Sequence, residues 1–138
     1  MRQVFVDTSA WDALADSHDA HHDLALLFRQ EIAGRAQLVI TDYVLDELYT
    51  LLLLNIGYQG AVSFKIKVDT LIQEGVVSIV WVTEAIARDA WQVFEQFNAD
   101  KKWSFTDCVS YTVMKQRSIA EAFTFDHHFQ QMGFTKLP

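Results

Sequence analysis

The sequence predicts an α/β fold, a three-layer α/β/α sandwich with a central parallel sheet of four to five strands. Three observations carry that expectation. Short apolar runs alternate with longer segments of helical periodicity from one end of the chain to the other. Strands separated by helices of this length pair in parallel through right-handed crossovers. The 138 residues contain only five Gly and one Pro, with no repeat or linker, so residues 1–138 read as a single domain.

The elements follow in order. Val4–Val6 is a short strand ending at Asp7, and Ser9–Ala15 is a short helix. Asp19–Ala33 has helical spacing, with Leu24, Leu27, Phe28 and Ile32 on its inner side and Gly34 as its stop. Leu38–Ile40 is the second strand. Asp42–Ile56 is a helix with Val44, Leu48, Tyr49, Leu51 and Leu52 as its apolar stripe, closed by Gly57. Gln59–Gln73 is a further helix, phased less cleanly and ended by Gly75. Val76–Val82 is continuous and β-branched, as expected of a strand covered on both faces. Thr83 opens a long helix through Phe97, and Phe105–Arg117 is helical. Ala122–Phe125 is a strand, a helical turn follows from His127, and Gly133–Leu137 adds an edge strand.

Bulk composition narrows the function. A net charge of −7 argues against a general nucleic-acid binder, which is normally basic, unless the acid is concentrated in a site that takes cations. The one cysteine, Cys108, forms no internal disulfide, and a reducing, cytoplasmic setting is expected. The opening M-R-Q-V-F-V-D-T meets an acid too soon for a secretory leader. The longest apolar run, Val76–Val82, is too short to span a bilayer, so no membrane association is expected.

In open parallel sheets, sites form outside the carboxyl ends of the strands. Asp7 directly follows the first strand, Asp126 follows A-F-T-F, and Asp107 lies in S-F-T-D at a helix start. Each has a plainer reading as a helix cap, and Ser104 with Asp107 has capping-box spacing. Capping and metal binding are not exclusive. Glu47 is harder to dismiss. It stands three residues after Val44 and four before Leu51, on the face that must turn inward. A carboxylate there needs a cation or strong donors, a buried salt bridge being the structural alternative. A parallel sheet brings all four acids to one end, where side-by-side ionisation requires compensation. All-oxygen ligands favour Mg²⁺ or Mn²⁺ over zinc, and such ions share coordination with phosphate oxygens. The acidic pocket thus becomes a phosphate-binding site once loaded.

The motifs V-D-T-S-A-W at Val6–Trp11, T-D-Y-V-L-D-E-L at Thr41–Leu48, S-F-T-D at Ser104–Asp107 and T-F-D-H-H-F at Thr124–Phe129 resemble the PIN domain. Within that family they are most similar to VapC-type toxins of toxin–antitoxin pairs, over nearly the whole chain and in order. The resemblance implies a PIN-like sandwich and Mg²⁺- or Mn²⁺-dependent endoribonuclease activity, with metal-activated water attacking RNA phosphodiesters. It carries over Asp7, Glu47, Asp107 and Asp126 as the catalytic, metal-binding quartet, with Thr8 or Ser9 and Thr124 organising the carboxylates by hydrogen bonds. It further implies a homodimer and a cognate antitoxin that blocks the site. Cys108 stands where the family usually has a small Ala, and its size predicts no loss of function.

Other residues carry weaker signals. Lys101, Lys102 and Trp103 combine a basic pair with an aromatic ring, suited to backbone and base of single-stranded RNA or equally to ordinary surface. His127 and His128 adjoin Asp126, with phosphate contact weighed against simple exposure at a helix start. His18, His21 and His22 have near-helical spacing but no further ligand, so a solvated face is expected rather than zinc. Two rival functions remain for comparison. A haloacid-dehalogenase-type phosphatase needs a second acid two residues after the first, where Ser9 stands. A PIN-like module that binds RNA or protein without cutting is opposed by the complete quartet.

Overall fold

The computed structural model describes residues 1–138. In order, the elements are β1 (Gln3–Val6), α1 (Thr8–Ala15), α2 (His22–Ile32), β2 (Gln37–Thr41), α3 (Asp42–Gln73), β3 (Val77–Val80), α4 (Glu84–Phe97), α5 (Phe105–Gln116), β4 (Glu121–Phe123), α6 (His128–Gln131) and β5 (Thr135–Leu137). The five strands form one sheet in the order β3-β2-β1-β4-β5. Every pairing is parallel, with Phe5 opposite Val39 on one side and Ala122 on the other. Strand order reverses at β1, which lies between β2 and β4. The crevice of an open α/β sheet opens at such a point, beyond the carboxyl ends of the two strands.

Right-handed crossovers in opposite directions from the centre place helices on both faces. α1 packs on α2 and α3, and α4 packs on α5. The core is continuous: Val4, Phe5 and Val6 on β1, Leu38, Val39 and Ile40 on β2, and Phe123 on β4 are all buried, together with Trp11, Leu48, Leu52 and Phe129 from the helices. The central strands are apolar on both sides because helices cover both. No helix is long and apolar enough to cross a membrane.

Two elements depart from the sequence-based expectation. The second helix begins at His22, not Asp19, because the side chains of Asp16 and Asp19 accept from the backbone N–H groups of His18 and His21 and hold residues 16–21 in turns. Its buried face is Ala25, Phe28 and Ile32, while Leu24 and Leu27 are exposed. The stripe is displaced by one residue because Ala25, too small to register as a marker, packs where a leucine was expected. β3 is an edge strand ending at Val80; Ser78 and Ile79 are only half-buried and Trp81 is exposed, so covering on both faces is incomplete.

The expected break at Gly57 is present. α3 is two helical arms joined at a residue with φ 83° and ψ 178°, outside the helical region and accessible only to glycine. A Cβ added there meets nothing within 4 Å, so the constraint is conformational and not steric crowding by neighbours. Gly57→Ala is therefore expected to lower stability by about 1–3 kcal/mol without altering the core, as read from urea unfolding midpoints.

Candidate active site

Asp7 ends β1 and caps α1. Its backbone is extended (φ −77°, ψ 160°), the usual N-cap conformation, and its N–H is held by the Phe123 carbonyl of neighbouring β4 at 3.0 Å. One carboxylate oxygen, Oδ2, is heavily engaged. It accepts from the hydroxyls of Ser9 at 2.8 Å and Thr124 at 3.0 Å, and from the Ser9 backbone N–H at 3.4 Å. The two hydroxyls are themselves fixed, since Ser9 Oγ accepts from the Phe125 N–H and Thr124 Oγ1 from the Asp126 N–H. Oδ1 has no such partner. The carboxylate is thus clamped on one side and left free on the other.

Asp107 repeats the arrangement from the opposite layer. Ser104 and Asp107 form the expected capping box at the start of α5, with Asp107 Oδ2 accepting from the Ser104 N–H at 3.2 Å. His128 Nδ1 approaches the same oxygen at 3.1 Å. Asp126 follows β4, and its Oδ1 accepts from the His128 backbone N–H at 3.0 Å. Helix capping and site formation therefore use the same side chains through different oxygens.

Glu47 lies on the first arm of α3, brought to this end because Thr41 both ends β2 and caps the helix. It is half-buried, not turned fully inward as its spacing suggested, and lines a cavity of about 380 Å³ together with Asp7, Asp107 and Asp126. No Lys or Arg forms an ion pair with any of the four acids; the side chains paired with Asp107 and Asp126 are histidines. Lys102 and Asp12 also line the cavity. A larger cavity of about 500 Å³, between α3 and β3, is more apolar and shares no lining residue with the acidic one.

The electrostatic consequence is clear at Asp7. Burial pushes its carboxyl up to about 6 against the opposing Ser9 hydrogen bond, and the charge of Asp107 adds to the rise. Burial likewise raises Asp107, offset by His128 and reinforced by Asp126. Cys108 is fully buried behind the site, and burial with the adjacent Asp107 charge pushes its thiol to about 11, leaving it chemically inert.

Of the other residues proposed from sequence, Ser9 and Thr124 make the expected hydrogen bonds. Thr8 does not: its hydroxyl is buried beside the cavity and has no hydrogen-bond partner. Trp103 is buried at 3% exposure and donates from its indole to Gln131, so it is core and cannot serve as a stacking platform for a base. Lys101 pairs with neighbouring Asp100, whereas Lys102 is exposed at the cavity. His127 is largely exposed, with its Nδ1 3.7 Å from Asp126 Oδ1, whereas His128 reaches both Asp107 and Asp126 and lines the cavity. Asp12 was missed, although it lies one turn after Thr8 on the same helix. His18 is exposed beside Asp16, His21 stacks on Phe125, and His22 contacts the Ala13 carbonyl.

The donor set suits a hard divalent cation. Four carboxylates line one cavity with no Lys or Arg partner, oxygens without a hydrogen-bond partner remain on Asp7, Glu47 and Asp107, and an orphaned hydroxyl lies alongside.

Residues 4–135 match the model of the PIN domain. The chain belongs to the PIN domain family. It is 33% identical over 136 residues to the 23S rRNA-specific endonuclease VapC20 of Mycobacterium tuberculosis, covering 97% of each chain. It is 25% identical over 128 residues to a VapC ribonuclease of Archaeoglobus fulgidus, covering 91% of this chain and 78% of that protein. The crystal structure of the M. tuberculosis VapC20, described as a sarcin–ricin loop cleaving toxin, superimposes with a TM-score of 0.82 at 30% identity, covering 97% of this chain and 98% of that one. A VapBC2 structure from Rickettsia felis, bound to a DNA fragment from its promoter, shares the fold with a TM-score of 0.67 at 12% identity. This PIN domain is thus of the VapC type.

Proposed function

We propose that this PIN domain is a metal-dependent endoribonuclease, the toxin of a toxin–antitoxin pair, with Asp7, Glu47, Asp107 and Asp126 as its metal-holding residues. One observation carries the reading: four acids from distant parts of the chain converge on one cavity with no Lys or Arg partner. Mg²⁺ or Mn²⁺ is the proposed ion. When bound, it supplies a Lewis acid for the phosphodiester and lowers the pKa of water to the working range.

The chain's own residues do the rest. Ser9 and Thr124 hold Asp7 Oδ2 and leave Oδ1 without a side-chain partner. Ser104 does the same for Asp107. Glu47 approaches from the α3 side. Lys102, exposed at the rim, draws the RNA backbone toward a pocket whose own charge is negative. Preorganised carboxylates need no rearrangement at the moment of reaction.

A homodimer and an antitoxin belong to the same proposal. The exposed apolar side chains of Leu53, Leu54, Tyr58, Val62 and Ile66 on α3 support a partner-covered surface. A cytoplasmic setting, where RNA is at hand, belongs to the same proposal. Because the VapC20 relative is named for 23S rRNA, ribosomal RNA is the first substrate to try. Cleavage is expected with Mn²⁺ and absent with EDTA, resolved on a denaturing gel. Metal-independent cleavage, or none with either additive, contradicts the proposal. Mn²⁺ at a hundredfold excess over its dissociation constant is also expected to raise the melting temperature by about 10 °C. An unchanged transition counts against the metal site.

A further inference from the structure

The four acids account for what the cavity holds, but not for what keeps them in register. Asp107 belongs to α5, whereas Asp126 belongs to the turn after β4, and no backbone hydrogen bond connects the two carboxylates. His128 does. Its Nδ1 lies 3.1 Å from Asp107 Oδ2 and 3.3 Å from Asp126 Oδ2. Two carboxylate oxygens facing one ring nitrogen make that nitrogen the donor, in the neutral ring as in the charged one. The imidazole is itself restrained. It is the first residue of α6, its side chain is about four-fifths buried, and its backbone N–H is spent on Asp126 Oδ1.

The oxygen it touches on Asp107 is informative. Oδ2 is the oxygen already used by the Ser104 N–H, so His128 adds to the anchored side and leaves Oδ1 without a hydrogen-bond partner. At Asp7 the hydroxyls of Ser9 and Thr124 play the corresponding part, again on Oδ2 alone. Both clamps follow one rule: donors saturate one oxygen and thereby aim the other.

We propose that His128 is a positioning residue that clasps Asp107 and Asp126 through a shared Nδ1–H, setting the affinity of the site for its divalent cation without ligating it. This rests on the metal-site reading above. Partners outside the ligand shell typically change metal affinity ten- to a hundredfold when lost.

Three full-length proteins test it: wild type, His128→Leu and His128→Asn. The Asn amide places an N–H near the position of Nδ1, whereas Leu keeps bulk and removes the donor. Mn²⁺ is the probe, its dissociation constant measured by calorimetry or from the free-ion electron paramagnetic resonance signal, with circular dichroism to establish folding. We expect His128→Leu to bind Mn²⁺ about ten- to a hundredfold more weakly, and His128→Asn to recover most of that loss. Equal affinity in wild type and folded His128→Leu overturns the proposal, as does an Asn variant as weak as the Leu one. Should His128→Leu fail to fold, the Asn variant decides alone, retained affinity supporting the clasp and lost affinity refuting it. Nitrogen modulation of the bound-Mn²⁺ spin echo that vanishes in His128→Asn would make His128 a ligand and also refute it. A wild type that binds no Mn²⁺ instead removes the metal-site reading itself, so the two failures are distinguishable.

Discussion

Asp107→Asn is expected to reduce RNA cleavage on the order of a thousandfold while leaving the protein folded. The substitution keeps size, and the Asn carbonyl oxygen can still accept from the Ser104 N–H that completes the capping box at α5. What disappears is a formal charge at the cavity. Metal-assisted charge stabilisation is worth several kcal/mol in the transition state, and each 1.4 kcal/mol is about a factor of ten in rate. A cap lost outright costs about 1 kcal/mol, so a purely structural Asp107 would produce a modest fall in melting temperature and little change in rate. Single-turnover cleavage of ribosomal RNA in Mn²⁺ separates the two. Undiminished cleavage by the purified variant means that Asp107 is only a cap or that another nuclease is present.

Asp7→Asn is expected to do something less intuitive: abolish activity while stabilising the metal-free protein at neutral pH. Burial lifts the Asp7 carboxyl to about 6 from an ordinary 3.8. The folded state therefore binds the proton more tightly than the unfolded chain does. Asp7's contribution to stability is fully present below about pH 4 and is lost as pH rises through about 6. A shift of this size corresponds to about 3 kcal/mol. An uncharged Asn escapes that cost and keeps an oxygen for Ser9 and Thr124. In EDTA, the stability gain of Asp7→Asn over wild type should grow from near zero at pH 4 to about 3 kcal/mol at pH 7.5. Added Mn²⁺ should close the gap by stabilising wild type alone. Urea unfolding at the two pH values checks this. A variant less stable than wild type at pH 7.5 without metal would show that the Asp7 charge is already compensated.

Much of this arrangement was readable from residue order because one topological rule does most of the work. Once the strands are parallel, Asp7 and Asp126 must emerge at the same end, and the helices bearing Glu47 and Asp107 start there. Gly57 was legible because left-handed backbone excludes other residues. The sequence was silent where side-chain direction depends on a turn. Trp103 follows two lysines and resembles an RNA platform, yet Asn98 bridges the loop by donating to the Trp103 carbonyl and accepting from its N–H, turning the ring inward. His127 and His128 are chemically identical neighbours. The turn at Asp126, whose Oδ1 accepts from the His128 N–H, is what brings His128 and not His127 within reach of Asp107. Thr8 and Ser9 were equivalent candidates for the same reason, and the helix start points Ser9 at Asp7 and Thr8 elsewhere.

The hydrogen bond from Thr124 to Asp7 joins residues 117 positions apart. Chains emerge from the ribosome at about 5–20 residues per second, so Asp7 waits several seconds for the groups that aim it. During that interval the nascent polypeptide has β1, β2 and β3 but lacks the fourth strand on the other side of β1, along with Asp126 and His128. An unfinished copy therefore lacks the groups that complete the acidic pocket, which assembles only once Thr124, Asp126 and His128 have joined the chain.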